Sequence, residues 1–247
     1  MNIQRVLIRK KFLSRILSVI GLLFAATNSH AQWEVSSGID MSYPILLNSN
    51  NTVPNYGQIS FGLRFGVAYK PEDVQFFPIL TTAFGRTRLP LKQYGTGNVA
   101  AINFNYINVM LNENFVVHFP KSELFIYGGI GFSHLTNKGL VLAGDRAGTM
   151  KGTIDSSANV NTMFPAMNLG FEYIWGESTG KDLYLSMGLN FQYILLLDGR
   201  NTYYISINDP QNGISHYTAS LTGNVISPGF YIAIHYIMHH KKGGMYL

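Results

Sequence analysis

The sequence predicts an all-β chain: an eight-stranded antiparallel transmembrane β-barrel of the up-and-down kind, following a cleaved signal peptide. Three observations predict it. Apolar residues recur at every second position through most of the chain, as they do when one strand face is greasy and the other is not. The opposite face carries Gly, Ser, Asn and Gln rather than the Lys and Glu usual on soluble sheets. Several alternating stretches are long enough to cross a bilayer as tilted strands, which takes about 9 to 11 residues.

Residues 1–31 read as the signal peptide and residues 32–247 as the barrel domain. Arg5, Arg9, Lys10, Lys11 and Arg15 form a basic start. An apolar run from Ile16 to Ala26 follows, too short for a spanning helix. Ser29-His30-Ala31 then places small residues at −3 and −1 of a cleavage site before Gln32. The formal charge of +5 comes from this leader, so the remainder is neutral and its pI gives no reason to expect nucleic acid. Charged residues make up 13% and hydrophobic ones 47%, about half the charge of an ordinary soluble domain. With no cysteine, disulfides, thiolate metal sites, a cysteine nucleophile and a lipidated N-terminal cysteine are excluded.

The first candidate strand, Trp33 to Tyr43, sets Trp33, Val35, Ile39, Met41 and Tyr43 against Glu34, Ser36, Gly38, Asp40 and Ser42, with Ser37 as an exception on the apolar side. The second sets Ile59, Phe61, Leu63, Phe65, Val67 and Tyr69 against Ser60, Gly62, Arg64, Gly66, Ala68 and Lys70. Strands three (about 74–87), four (about 99–119) and five (about 123–136) alternate less cleanly. The sixth opposes Met167, Leu169, Phe171, Tyr173 and Trp175 to Asn168, Gly170 and Glu172. The seventh opposes Leu183, Leu185, Met187, Leu189, Phe191 and Tyr193 to Ser186, Gly188, Asn190 and Gln192. The eighth opposes Phe230, Ile232, Ile234 and Tyr236 to Gly229, Ala233 and His235.

Connections alternate between short (71–73, 120–122, 176–181) and long (44–57, 88–98, 137–160, 199–223). Short inner turns and long outer loops are the asymmetry of outer-membrane barrels. The inner rim should then carry an aromatic girdle, and Trp33, Tyr69, Phe119, Trp175 and Tyr236 all fall there on the outward parity.

The hydrophobic pattern of strand four changes phase: Ile102, Phe104 and Tyr106 share one parity, and Ile107, Val109, Leu111, Phe115, Val117 and Phe119 the other. A β-bulge near Tyr106–Ile107 would reconcile them. Glu113 then falls on the lipid-facing parity. It reads as a lateral site for a partner or lipid, or as a residue turned inward by a second irregularity or lying near the interface.

Inward Glu34, Asp40, Arg64, Lys70 and Glu172 are expected to pair as a structural plug, since buried charges must pair and an eight-stranded lumen is narrow. Ser133-His134 near the outer end of strand five invites a hydrolase reading, but adjacent strand residues point to opposite faces. His239-His240-Lys241-Lys242 reads as a solvated tail, and Gly144-Asp145-Arg146-Ala147-Gly148 matches no phosphate-binding pattern. No catalytic, cofactor-binding or metal-ligating residue is assigned. The polar outer loops, such as Asn48 to Asn51 and Ser156 to Asn161, are the expected recognition surface.

The run Phe104-Asn105-Tyr106-Ile107-Asn108-Val109 through Phe119, then Phe125-Ile126-Tyr127-Gly128-Gly129-Ile130-Gly131, resembles the middle of the PorT-like outer-membrane β-barrel family of Bacteroidetes. Met110 stands where that family commonly has proline. The resemblance implies an outer-membrane barrel and supplies no catalytic residue; a shared barrel does not carry over the namesake's link to secretion. The expectation is a non-enzymatic protein of the cell outer membrane with a filled interior, acting through extracellular loops or within an envelope assembly. Its expected partners are membrane lipids and lipopolysaccharide, with an envelope protein besides and no nucleic acid. The alternatives are a lipid-directed enzyme, a small pore or a secretion-system component.

Overall fold

The computed structural model describes residues 31–47, 59–71, 75–94, 98–120, 122–143, 150–158, 162–175, 183–196, 202–210, 212–220 and 223–238. Residues 1–30 of the expected leader, the glycine-flanked 144–148 and the basic tail 239–242 lie outside them. Among the described residues twelve strands run in order: β1 (Ala31–Ser42), β2 (Ile45–Leu47), β3 (Ser60–Pro71), β4 (Phe76–Tyr94), β5 (Asn98–Phe119), β6 (Ser122–Ala143), β7 (Lys151–Ala158), β8 (Met163–Trp175), β9 (Leu183–Leu196), β10 (Thr202–Asp209), β11 (Gly213–Ser220) and β12 (Gly223–Met238).

Eight of them close the predicted antiparallel barrel in the order β1-β3-β4-β5-β6-β8-β9-β12, with β12 pairing back to β1. Closure leaves this sheet no edge to template aggregation. β2 prolongs β1 against the outer end of β12. Paired residues trace the wall once around: Val35, Val67, Leu80, Leu111, Ile130, Met167, Tyr193, Ile226 and Ile45. The ring returns ten residues beyond its start. This stagger tilts the strands by about 40° and makes a narrow cylinder. Every residue of the ring is apolar, and those such as Leu111 (58% exposed) and Ile130 (68%) would be untenable against water. This is a lipid-facing band, and strands, not helices, carry it across.

Phe119, Trp175 and Tyr236 project outward at the predicted inner rim, and Trp33 packs edge-on against Tyr69 with ring centroids 5.2 Å apart. The girdle is where the sequence places it.

The lumen face is built by fitting large rings over missing side chains. A Cβ on Gly188 would lie 2.3 Å from Tyr231 Cζ, and one on Gly170 would lie 2.2 Å from Tyr127 Cζ and 2.6 Å from the Leu189 carbonyl. Tyr231 is held in place by its hydroxyl on Glu172 Oε2 at 3.0 Å and by the Arg64 guanidinium 4.2 Å over its ring. Gly188→Ala is therefore expected to destabilise the barrel by about 1–3 kcal/mol through overpacking, measured as a lowered urea midpoint for folding into liposomes. An unchanged midpoint would mean the ring moves freely.

Two expectations require correction. β5 keeps one phase throughout, and no bulge occurs at Tyr106–Ile107. The register shifts lie instead on its neighbours, between Pro90 and Lys92 of β4 and opposite Asn103–Phe104, where Lys138 of β6 has no counterpart. Gly139, next to the second shift, takes φ +133°, which suits glycine, and donates its N–H to Asn137 Oδ1 at 2.8 Å. Ile102, Phe104 and Tyr106 point inward with Asn108, Asn112 and Asn114. The change of hydrophobicity marks a change of environment along one face. Lower down, the inward side is a polar lumen; higher up, it meets an apolar lid.

That lid is the second correction. The long connections expected near 88–98, 137–160 and 199–223 are largely strand, including Ser156 to Ala158 at the end of β7. β7, β10 and β11 form a separate sheet in the order β11-β10-β7. Its inner face, with Tyr203, Ile205, Ile207 and Ala219, packs on Leu89, Ile102, Phe104, Leu135, Phe164 and Leu196 of the barrel's outer end. This is the larger apolar core of the protein, and it stoppers the outer mouth.

Candidate functional site

Below the lid, inward-pointing polar residues fill the lumen in tiers. Glu34 of β1, His235 of β12 and Glu172 of β8 are brought together although the sequence keeps them far apart, because β1 closes on β12 and the tilt brings β8 level with them. His235 Nδ1 lies 2.7 Å from Glu34 Oε1, and its Nε2 lies 2.7 Å from Glu172 Oε1. Ser186 donates its hydroxyl to Glu172 Oε1 at 2.5 Å, and Tyr231 donates to Glu172 Oε2 at 3.0 Å. Tyr184 stacks flat on the His235 ring, centroids 4.6 Å apart. The Arg64 guanidinium sits 4.2 Å above the Tyr231 ring and 5.3 Å from that of Tyr127, so two aromatic faces receive its charge. All these groups are buried.

Of the five expected plug residues, Glu34, Arg64 and Glu172 join in this network. Asp40 lies farther out, lining the same small cavity as Arg64. Lys70 is apart, at the inner end, 3.8 Å from Glu123, which also meets His118 Nδ1 at 3.1 Å. Near it, Phe77 and Phe125 stack edge-on at 5.5 Å within an apolar cluster that also holds Ile174, Tyr184 and Ile237. Sequence reasoning missed the linking roles of His235 and Ser186, and of Tyr127, Tyr231 and Glu123. Their inward parity was the available signal.

Ser186, His235 and Glu34 share the connectivity of an acyl-transfer triad: Ser186 Oγ is 2.8 Å from His235 Nε2, and Nδ1 faces Glu34. The arrangement does not suit catalysis. Ser186 is fully buried, and its hydroxyl is held by Glu172. A carboxylate at each ring nitrogen leaves His235 no free position from which to take a proton. Ser133 and His134 point to opposite sides of β6, as strand geometry requires. Ser133 is fully buried in the lumen, while His134 meets Thr136 Oγ1 at 3.2 Å.

Between plug and lid lie two adjoining cavities of about 30 and 20 Å³, both lined by Asp40, Asn108, Asn190 and Gln192. Space on that scale suits a few waters, far below the hundreds of Å³ that a sugar or lipid group needs.

On the lid's outer face, Ser206 of β10 donates to Asp155 Oδ2 of β7 and lies 2.7 Å from His216 Nδ1 of β11, while Thr153 donates to Asp155 Oδ1 at 3.1 Å. The Ser206 hydrogen bond, helped by Thr153 and His216, holds the Asp155 carboxyl below the usual range. This cluster cross-links the three strands of the lid. Glu113 faces outward on β5, and neither flanking ladder shifts register there, so it is not turned into the lumen.

Closure, lipid-facing band and girdle together define an eight-stranded integral outer-membrane β-barrel. No family model matches this chain, and no curated protein does. Among solved structures it is similar to Neisserial surface protein A (9% identity, 84% of this chain and 99% of that one, TM-score 0.46). It is similar also to the attachment invasion locus protein Ail of Yersinia pestis, solved with the heparin analogue sucrose octasulfate (10%, 85% and 100%, TM-score 0.44). A third is the outer membrane protein OprG of Pseudomonas aeruginosa (14%, 85% and 97%, TM-score 0.43).

Proposed function

We propose that this protein is a non-enzymatic barrel of the outer membrane whose sealed interior serves stability, and whose contacts with other molecules are made by its extracellular sheet or within an envelope assembly. The observation that carries this reading is the double closure of the lumen: an apolar lid at the outer mouth and the Arg64–Glu172–His235 plug beneath it. The two described lumen cavities, with room for a few waters, offer neither a permeation path nor a substrate pocket. The exposed lid face, with Tyr204, Ile214 and His216, stands where a recognition surface belongs. Lipid and lipopolysaccharide are the obligate neighbours of the outer wall. The PorT-like resemblance of β5 and β6, which form one long hairpin, agrees with an envelope role and is part of this proposal.

Purified protein in planar bilayers is expected to give no discrete conductance steps. Stable openings would overturn the sealed-lumen reading in favour of a pore.

A further inference from the structure

Glu113 is exposed in the midst of the lipid-facing wall, with Leu111 and Phe115 on either side of it along the outward face of β5. A carboxylate facing acyl chains is unfavourable, less so than Arg or Lys but still without benefit to the barrel. Among the described residues no hydrogen bond or ion pair reaches it. Its two cross-strand neighbours are Pro78 and Gly128, also outward, and neither carries a long side chain to screen it. The β3–β4 ladder ends at Ala68↔Ile79, one residue short of Pro78.

Gly128 is the more telling neighbour. The inward glycines Gly129 and Gly131 are required by packing, since a Cβ on either would come within 2.3 Å or less of a backbone carbonyl. A Cβ on Gly128 would meet only Asn168 O at 3.7 Å and Leu169 Cδ1 at 3.8 Å, which are ordinary contacts. Its backbone is not in the left-handed region. No described packing contact thus requires glycine at 128. The low relief at Pro78 and Gly128 on either side of an outward carboxylate makes a shallow notch that suits something approaching the wall closely from the membrane.

We propose that the notch formed by Glu113, Pro78 and Gly128 docks a membrane-spanning segment of a partner protein, which brings a cationic or hydrogen-bond-donating side chain to Glu113. This rests on the envelope-assembly reading and names the surface it would use. A second copy of the chain is a poor fit: a two-fold contact centred on the notch would set Glu113 against Glu113, and the exposed cation Arg86 of β4 lies eight residues farther out than Pro78, too far along the wall to reach it from an offset two-fold at the same depth. Lodged within the lipid band, the carboxylate favours a donor carried by a protein segment at that depth.

The test places a photo-crosslinking amino acid at Leu111, at Ile130 and, across the barrel, at Ile232, in the full chain in native membranes. The expected result is a protein adduct of one defined mass from positions 111 and 130, absent from 232, and lost in Glu113→Gln and in Gly128→Leu. Both variants should fold into protein-free phospholipid liposomes as wild type does, judged by heat-dependent electrophoretic mobility. Adducts to lipid alone, no adduct, or a protein adduct indifferent to both substitutions would each overturn the proposal. So would failure of Glu113→Gln to fold in those liposomes, which would make the carboxylate part of the barrel itself. Channel openings in planar bilayers would defeat the sealed-lumen reading without touching this adduct.

Discussion

His235→Ala is expected to destabilise the barrel by about 3–5 kcal/mol, the cost usual for breaking a buried charged network from one side. The imidazole is the group that Glu34 and Glu172 share, 2.7 Å from each. Removing it leaves two carboxylates facing each other in a lumen with little water and no other described cation placed between them. It also strips the stacking partner from Tyr184. The measurement is equilibrium urea unfolding from liposomes. Adding Glu34→Gln and Glu172→Gln to His235→Ala should recover part of the loss, because neutral amides remove the repulsion while keeping shape. A His235→Ala midpoint within experimental error of wild type would mean that water satisfies the carboxylates and the plug is incidental.

The barrel was legible because a closed two-faced sheet writes itself into sequence with period two. Trp33, Tyr69, Phe119, Trp175 and Tyr236 could be placed at one rim from parity and turn length alone, and the structure puts them there. Inward parity likewise found Glu34, Arg64 and Glu172. It could not find their partners' roles. Ser186 and His235 are 49 residues apart, and only the stagger of the closed cylinder decides which inward residues come level. Strand four departs from the expected bulge for a related reason. The switch from Asn108 to Phe104 on one face marks the level where the lumen gives way to the lid. The lid had its own signal inside the stretch expected to be loop. Tyr203, Ile205 and Ile207 alternate with Tyr204, Ser206 and Asn208, and Gly213, at φ +81° opposite Asp209, marks the return of the hairpin. Without a barrel mouth to cover, that alternation had no visible purpose.

The lid also yields the second large effect. Ile205→Asp puts a carboxylate at the buried face of β10, among Tyr203, Ile207 and the barrel's Phe104 and Leu135, and the described members of that cluster are all apolar. An unpaired buried charge costs several kcal/mol, more than a three-stranded sheet held on by one apolar face can absorb while docked. The lid can escape the penalty by lifting off, whereas the eight-stranded wall keeps its ladders. The expected outcome is selective: protease added from outside cuts the Ile205→Asp protein within the lid strands Lys151–Ala158, Thr202–Asp209 or Gly213–Ser220 while the barrel strands stay resistant, and wild type is not cut within those three strands. The variant should still show no conductance, because Arg64 stacked on Tyr231 and the Glu172–His235 pair block the lumen below the lid. Cleavage accompanied by steady channel openings would show that the lid alone holds the lumen shut, and the plug would then be a scaffold with no sealing role. An uncut variant would mean that the lid is bound by more than its apolar face. The described hydrogen bonds of the Asp155–Ser206–His216 cross-link run between lid strands alone, so it stiffens that sheet from above without holding it down on the wall.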